Sequence, residues 1–352
     1  MKFSWSFRVF AACSIGLVLL TGPKLFAVEP PLALEAVLAR LDAQLDWEPV
    51  SMMGVITTGA DRVVFRVGDS AGVSLFNGEE ILHGPQPWLE SGILRFPPDW
   101  VRAIEALKAR TPRESSSSAF RVQAILIDPG HGGKDPGAVA THTIDGKKRV
   151  LQEKDIVLSV ARDLHARLKV AYPDKRILLT RTGDTYPTLD DRVRIANGIP
   201  LDTNEAIIYV SIHCNASFNT AARGYEVWYL SPEYRRDLVS DRVVEENDEI
   251  LPILNDMLEE EFTTESVIIA RNMLHYFDLA FKDKTKSRGL KAAEWFVVRN
   301  AKMPSVLVEL GFLTNEQDAR LFLDETHLQR FGEALYSAIS DYVRSFEHSM
   351  GE

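Results

Sequence analysis

From residue 122 onward, short apolar runs alternate with stretches whose apolar positions recur every three or four residues. Residues 122–127 read as a buried strand ending at Asp128-Pro129-Gly130. Residues 154–170 carry Ile156, Val160, Leu164 and Leu168 on one stripe, the spacing of a helix that buries one face. Residues 176–180, 206–212, 225–230, 295–298 and 305–310 read as further strands. Phe331, Leu335, Ile339, Val343 and Phe346 mark a last helix. This order predicts an α/β fold, a mixed sheet flanked by helices on both faces.

The first third of the chain follows a different rhythm. Residues 31–45 have apolar spacing suited to a short helix opened by Pro31. Residues 54–56, 62–67 and 72–76 are strand-like runs parted by Gly, Asp and Asn, with Asn77-Gly78 as a hairpin turn signal. A helical stretch at 100–107 follows Phe96-Pro97-Pro98. Together these make a small α+β module over residues 28–110. The polar segment 111–119, with serine at every position from Ser115 to Ser118, reads as a linker to a second domain at 120–348.

At the start of the chain, Lys2 and Arg8 flank an apolar run at residues 9–20 that is too short to span a bilayer comfortably. With the break at Gly22-Pro23, this is the pattern of a secretory signal peptide over residues 1–27, cut after Ala27. No later run is apolar enough to cross a membrane. The expected location is therefore the periplasm if the cell has an outer membrane, and otherwise the wall or the medium.

Composition narrows the classes. Forty Lys and Arg against fifty Asp and Glu give the 352-residue chain a net charge of −10. A duplex nucleic-acid binder would need a basic surface to displace counterions, so that class is excluded. Cys13 and Cys214 are the two cysteines, too few for a disulfide framework, and signal cleavage would leave only Cys214.

Ligands of α/β sheets sit beyond the carboxyl ends of the strands, so the chemistry should follow each predicted strand. After residue 127 comes Asp128-Pro129-Gly130-His131-Gly132-Gly133, where glycines on both sides of one histidine permit unusual backbone angles. Ser211-Ile212-His213-Cys214-Asn215 closes a later strand, and Glu153 stands directly before the first long helix. Glu309 lies in an apolar run, where an unpartnered carboxylate would cost several kcal/mol or take up a proton. Each residue alone has an ordinary reading, Glu153 as a favourable charge at a helix start for instance. Two imidazoles and one or two carboxylates together at element ends suit a catalytic zinc with an open position.

These motifs, with Glu153-Lys154-Asp155, Thr180-Arg181 and Pro304-Ser305-Val306-Leu307-Val308-Glu309-Leu310-Gly311-Phe312, resemble the zinc-dependent N-acetylmuramoyl-L-alanine amidases of bacterial cell walls. The resemblance spans about residues 122–346 and leaves out the N-terminal module. It implies one zinc per chain held by His131, Glu153 and His213, with Glu309 as the catalytic carboxylate and peptidoglycan as substrate. Asn215 and Arg288 would be substrate-binding positions. Arg181 and Arg192 also match family positions, and a structural salt bridge is an equal reading for each arginine.

Two features depart from the family pattern. Cys214 stands where alanine is usual, and strand alternation points it away from His213 into the core. The polar loop at 141–152 is long and mobile-looking, and His142 in it, like His83, His165, His275 and His327, reads as an ordinary polar position. The acidic segment 231–266 interrupts the α/β rhythm. Pro252 could open a helix with an apolar stripe at Ile253, Leu254, Met257 and Leu258. In related amidases such an insertion occludes the zinc until a protein activator displaces it. Glu245, Glu246 or Glu249 would then be the blocking carboxylate, and a plain surface helix is the competing reading. A catalytically silent wall-binding homologue should have lost one of His131, Glu153, His213 or Glu309, and all four are present.

Overall fold

The computed structural model describes residues 29–49, 52–59, 61–67, 74–77, 80–82, 84–110, 121–202, 205–238 and 251–349. The expected signal peptide, the linker, His83 and Glu245, Glu246 and Glu249 lie outside the described residues.

In the module, the elements run β1 (Leu32–Ala33), α1 (Leu34–Leu41), β2 (Gln44–Glu48), β3 (Met53–Thr58), β4 (Asp61–Arg66), β5 (Ser74–Phe76), β6 (Glu80–Leu82), β7 (Trp88–Glu90), β8 (Ile93–Phe96) and α2 (Pro98–Arg110). Asp42 is left-handed at φ 52° and ends α1, so the helix expected over 31–45 stops early and Gln44 already belongs to a strand. Strands β2 to β6 pair in sequence order, and β1-β8-β7 form a second small sheet. Phe65, Phe96 and Trp100 stack edge-on and tilted at the centre of the module's core.

The second part runs β9 (Arg121–Pro129), β10 (Val139–Ile144), β11 (Lys147–Gln152), α3 (Glu153–Ala171), β12 (Arg176–Leu179), α4 (Leu189–Asn197), β13 (Glu205–Asn215), β14 (Tyr225–Leu230), α5 (Leu251–Phe281), β15 (Ser287–Ala293), α6 (Phe296–Asn300), β16 (Ser305–Phe312), α7 (Glu316–Phe322) and α8 (Glu325–Ser349). Its six-stranded sheet has the order β12-β9-β13-β16-β14-β15. Side chains alternate along each strand, so one face packs on α3, α5 and α8 and the other on α4 and α6. This is the expected mixed sheet with helices on both faces. Among the described residues no helix is long and apolar enough to cross a membrane.

Three elements differ from the sequence-based expectation. Residues 295–298 are not a strand: Trp295 precedes the short helix α6, and Val297 and Val298 fill the core beneath the sheet. The sixth strand is β15 instead, a polar edge strand that apolar patterning does not reveal. Residues 139–152 are a regular hairpin rather than a loop. Asp145 and Gly146 both take positive φ, 52° and 70°, as a two-residue hairpin turn needs. The hairpin is tied down where His142 Nε2 lies 2.7 Å from the Leu313 carbonyl.

Strand direction decides where the acidic insertion attaches. β9, β12, β13 and β16 run parallel, whereas β14 runs antiparallel to β16. The end of β14 therefore lies at the edge opposite to the ends of β9, β13 and β16. Leu238 and Asn255 flank the undescribed part of the insertion and bond to each other, with Leu238 N–H donating to Asn255 Oδ1 at 2.6 Å. Arg236 and Glu259, both buried, form an ion pair, and Arg236 also donates to the carbonyl of Ala301 at 2.7 Å, ahead of β16. Met257, placed by its sequence in an apolar stripe, is buried against Met53 and Val64 of the module, and Glu261 pairs with Arg62 beside it.

Candidate active site and metal centre

Strand β9 delivers a loop whose shape is set by how closely its parts approach. His131 is itself left-handed at φ 57°. A Cβ on Gly130 would lie 2.2 Å from the His213 ring, and one on Gly137 would lie 2.6 Å from Glu153 Oε2 and 2.7 Å from the His131 ring. Only glycine fits at either position. Two buried arginines hold the loop from beneath. Arg181 donates to the carbonyls of Pro129, Gly130 and Lys154, and Arg192 to those of Pro129 and His131. Arg192 also pairs with the fully buried Asp128, which accepts from Thr180, Tyr209 and Ser211. Arg181 and Arg192 thus hold the loop in place, and Arg192 also lines the cavity beside the histidines.

Glu153 is the meeting point of the cluster. It opens α3 and is buried, with Oε2 accepting the Ala138 N–H at 2.8 Å and Oε1 the Cys214 N–H at 2.9 Å. The same Oε1 lies 3.1 Å from His131 Nε2 and 3.0 Å from His213 Nδ1. Burial works to raise the proton affinity of Glu153, but the hydrogen bonds and charges of both histidines hold it far below the usual carboxylate range. His131 is oriented from behind, its Nδ1 lying 2.8 Å from Asp135 Oδ2. Burial favours a neutral His131 ring, and Glu153 and Asp135 override this to raise its proton affinity. Asp135 was not singled out from the sequence. Its position four residues after His131 was the available signal.

Ligand atoms from His131, Glu153 and His213 all lie within 4.8 Å of one another, and this is the one such grouping among the described residues. His142, His165, His275 and His327 stand outside it. Cys214 points into the core at 4% exposure, as alternation along β13 requires.

Glu309 sits on β16, the register neighbour of His213 on one side and of Glu226 on the other. Its Oε2 is buried and has no hydrogen-bond partner. Burial first, then the charges of Glu153 and Glu226, push its proton affinity well above the ordinary carboxylate value, with Lys291 acting the other way. Asn215 donates its amide to Glu226 at 2.8 Å, and Arg288 Nε donates to Glu226 at 2.6 Å. Beside the histidines opens a cavity of about 250 Å³, walled in part by Tyr186, Leu189, Trp295 and Phe296. A cluster able to hold a metal, a neighbouring carboxylate with one unpartnered oxygen and a cleft beside them make a site able to hydrolyse an amide.

Residues 125–341 match the N-acetylmuramoyl-L-alanine amidase family. The amidase AmiA of Salmonella typhimurium is 30% identical over 252 residues, covering 67% of this chain and 81% of its own. AmiA of Escherichia coli is also 30% identical, with the same 67% and 81% coverage. Among solved structures, the amidase AmiC2 of Nostoc punctiforme is 27% identical with a TM-score of 0.47, covering 63% of this chain and 97% of its own. The chain belongs to the N-acetylmuramoyl-L-alanine amidases, hydrolases that part the glycan of peptidoglycan from its stem peptide.

Proposed function

We propose that the amidase reaction runs on one zinc ion held by His131, Glu153 and His213, with Glu309 as general base. The observation that carries this reading is the convergence of three ligand atoms beside a buried carboxylate oxygen that lacks a partner. Two imidazoles and one carboxylate are a donor set that suits zinc and leaves a position open. When bound, zinc supplies Lewis acidity, lowering the pKa of water and polarising the scissile carbonyl.

The chain's own groups do the rest. Asp135 fixes the His131 ring so that Nε2 faces the centre, the carboxylate–histidine support common at metal sites. The N–H groups of Ala138 and Cys214 hold the Glu153 carboxylate in place. Glu309, with its raised proton affinity, takes a proton from the attacking water and passes it to the leaving nitrogen of L-alanine. Asn215 and Arg288, both bonded to Glu226 beside Glu309, are the substrate contacts in this reading. Digesting purified sacculi with the zinc-loaded protein tests the function. Mass spectrometry should find free stem peptides that begin at L-alanine, and intact muropeptides as the sole product would refute it.

Export is part of this proposal, because peptidoglycan lies beyond the cytoplasmic membrane. N-terminal sequencing of the protein from outside that membrane should start near Val28, and an intact Met1 would reject cleavage.

The acidic insertion calls for a narrower reading than its sequence suggests. Its described flanks attach at the sheet edge away from the metal centre, so the condition for a blocking carboxylate, that β14 end on the active-site side, is not met. A protein activator that engages 231–266 would act instead through α5, whose Ser266 Oγ accepts the Ser305 N–H at the start of β16. Replacing residues 239–250 with a short Gly/Ser bridge should leave activity without a partner within about twofold of the parent. A rise of tenfold or more, about 1.4 kcal/mol in population, would restore the blocking model.

A further inference from the structure

On the side of Glu309 away from His131, the sheet carries Glu226 and Lys291, which the chemistry above does not use, next to Arg288, which it names only as a substrate contact of unstated chemistry. Glu226 on β14 faces Glu309 across the strand pair and is 1% exposed. Its Oε1 accepts the Asn215 amide at 2.8 Å and the Trp228 indole N–H at 3.2 Å. Its Oε2 accepts Arg288 Nε at 2.6 Å and also the Lys291 ammonium. Each cation rests on an aromatic ring as well. The Arg288 guanidinium lies 4.9 Å from the centre of Phe312, and the Lys291 ammonium 4.9 Å from that of Trp228.

A buried carboxylate needs compensation, but one cation balances one charge. Here two cations meet a single buried anion, and both keep part of their surface, 30% for the Arg288 side chain and 29% for that of Lys291. Arg288 spends only Nε on Glu226, and among the described residues its terminal amino groups make no hydrogen bond. A guanidinium fixed at one nitrogen and open at the others is suited to a second planar anion. With Glu309 counted, the two cations face two carboxylates, and what they offer a substrate is their exposed surface and the unbonded amino groups of Arg288.

We propose that Arg288 and Lys291, positioned by Glu226, read a free carboxylate on the stem-peptide side of the scissile amide. The proposal rests on the amidase reading and deepens it. The second stem residue, a D-glutamate joined through its side chain, carries its α-carboxyl group as the acid or as the amide. That group lies two residues past the scissile bond, about 7 Å of extended chain. From β16 to β15 is two strand spacings, about 4.8 Å each, and both cations reach back to Glu226 on the intervening β14, so their charged ends lie between one and two spacings from Glu309, a range that includes about 7 Å. The glycan half is then left to the aromatic side of the cleft, where Tyr186 and Trp295 are 39% and 42% exposed.

The test compares two synthetic substrates, N-acetylmuramoyl-L-Ala-D-isoglutamate and its isosteric carboxamide, N-acetylmuramoyl-L-Ala-D-isoglutamine. The zinc-loaded protein should cleave the acid with a kcat/KM on the order of tenfold above the amide, expressed mainly in KM, as expected of a charge-assisted contact. In Lys291→Met and Arg288→Gln the ratio should fall toward one, and Glu226→Gln should lower it by releasing both cations. Lys291→Arg and Arg288→Lys should retain most of it. Equal cleavage of acid and amide by the parent protein would overturn the proposal without needing any variant. Variants that slow both substrates alike, leaving the ratio intact, would overturn it too and make the wall purely structural. If neither substrate is cut and sacculi release no stem peptides, the amidase reading itself fails.

Discussion

Glu309→Gln should fold and bind metal like the parent and yet lose about 10²–10⁴ in kcat, the usual worth of positioned general base catalysis. The amide has the same shape as the carboxylate, and Oε2 has no protein partner that the change would strand. Burial already favours the uncharged form of this side chain, so the neutral amide costs the fold little. The loss should sit in kcat, because the carboxylate acts on the proton in flight and not on the bound ground state. Steady-state kinetics on a synthetic muropeptide, with zinc content measured on the same preparation, separates the two roles. A variant that keeps near-parental kcat would remove Glu309 from the mechanism. One that loses its metal would make it a ligand.

Glu153→Ala should have the larger effect, taking metal and activity together. Its Oε1 is within hydrogen-bonding distance of both imidazoles and the Cys214 N–H, so the substitution removes a ligand and the group that brings the other two together. Changes at groups that merely support ligands cost about 10–100-fold in metal affinity, and removal of a ligand should exceed that. His131→Ala and His213→Ala should behave alike. Elemental analysis after dialysis should show less than a tenth of the parental zinc, and the thermal midpoint should cease to respond to added zinc, since binding stabilises only a chain that holds the metal. Near-stoichiometric zinc in Glu153→Ala would mean that the ion sits elsewhere.

Much of the site is legible in the sequence, because its parts are local. A strand buried on both faces is a run of apolar residues, and polar residues at its carboxyl end stand out against it. His131, His213 and Glu309 were visible for that reason, and Glu153 because it opens an amphipathic helix. The alternation that turns Cys214 inward is equally local. Asp145-Gly146 was a readable hairpin signal, and the polar character of its strands hid it. Other features had no local sign. A strand has the same period-two pattern whether it runs parallel or antiparallel, so the reversal of β14 could not be read, although it places the described flanks of the acidic insertion at the far edge. β15 is a half-exposed edge strand without an apolar run, and what it contributes, Arg288 and Lys291 beside Glu226, exists only once β14 lies between β15 and β16. The sequence by itself singled out the residues that the fold gathers into a cluster able to hold a metal, since burial and strand ends mark them one at a time. The tertiary structure alone decided which charges meet: Glu226 lies 83 positions before Glu309, and only the pairing of antiparallel strands makes them neighbours.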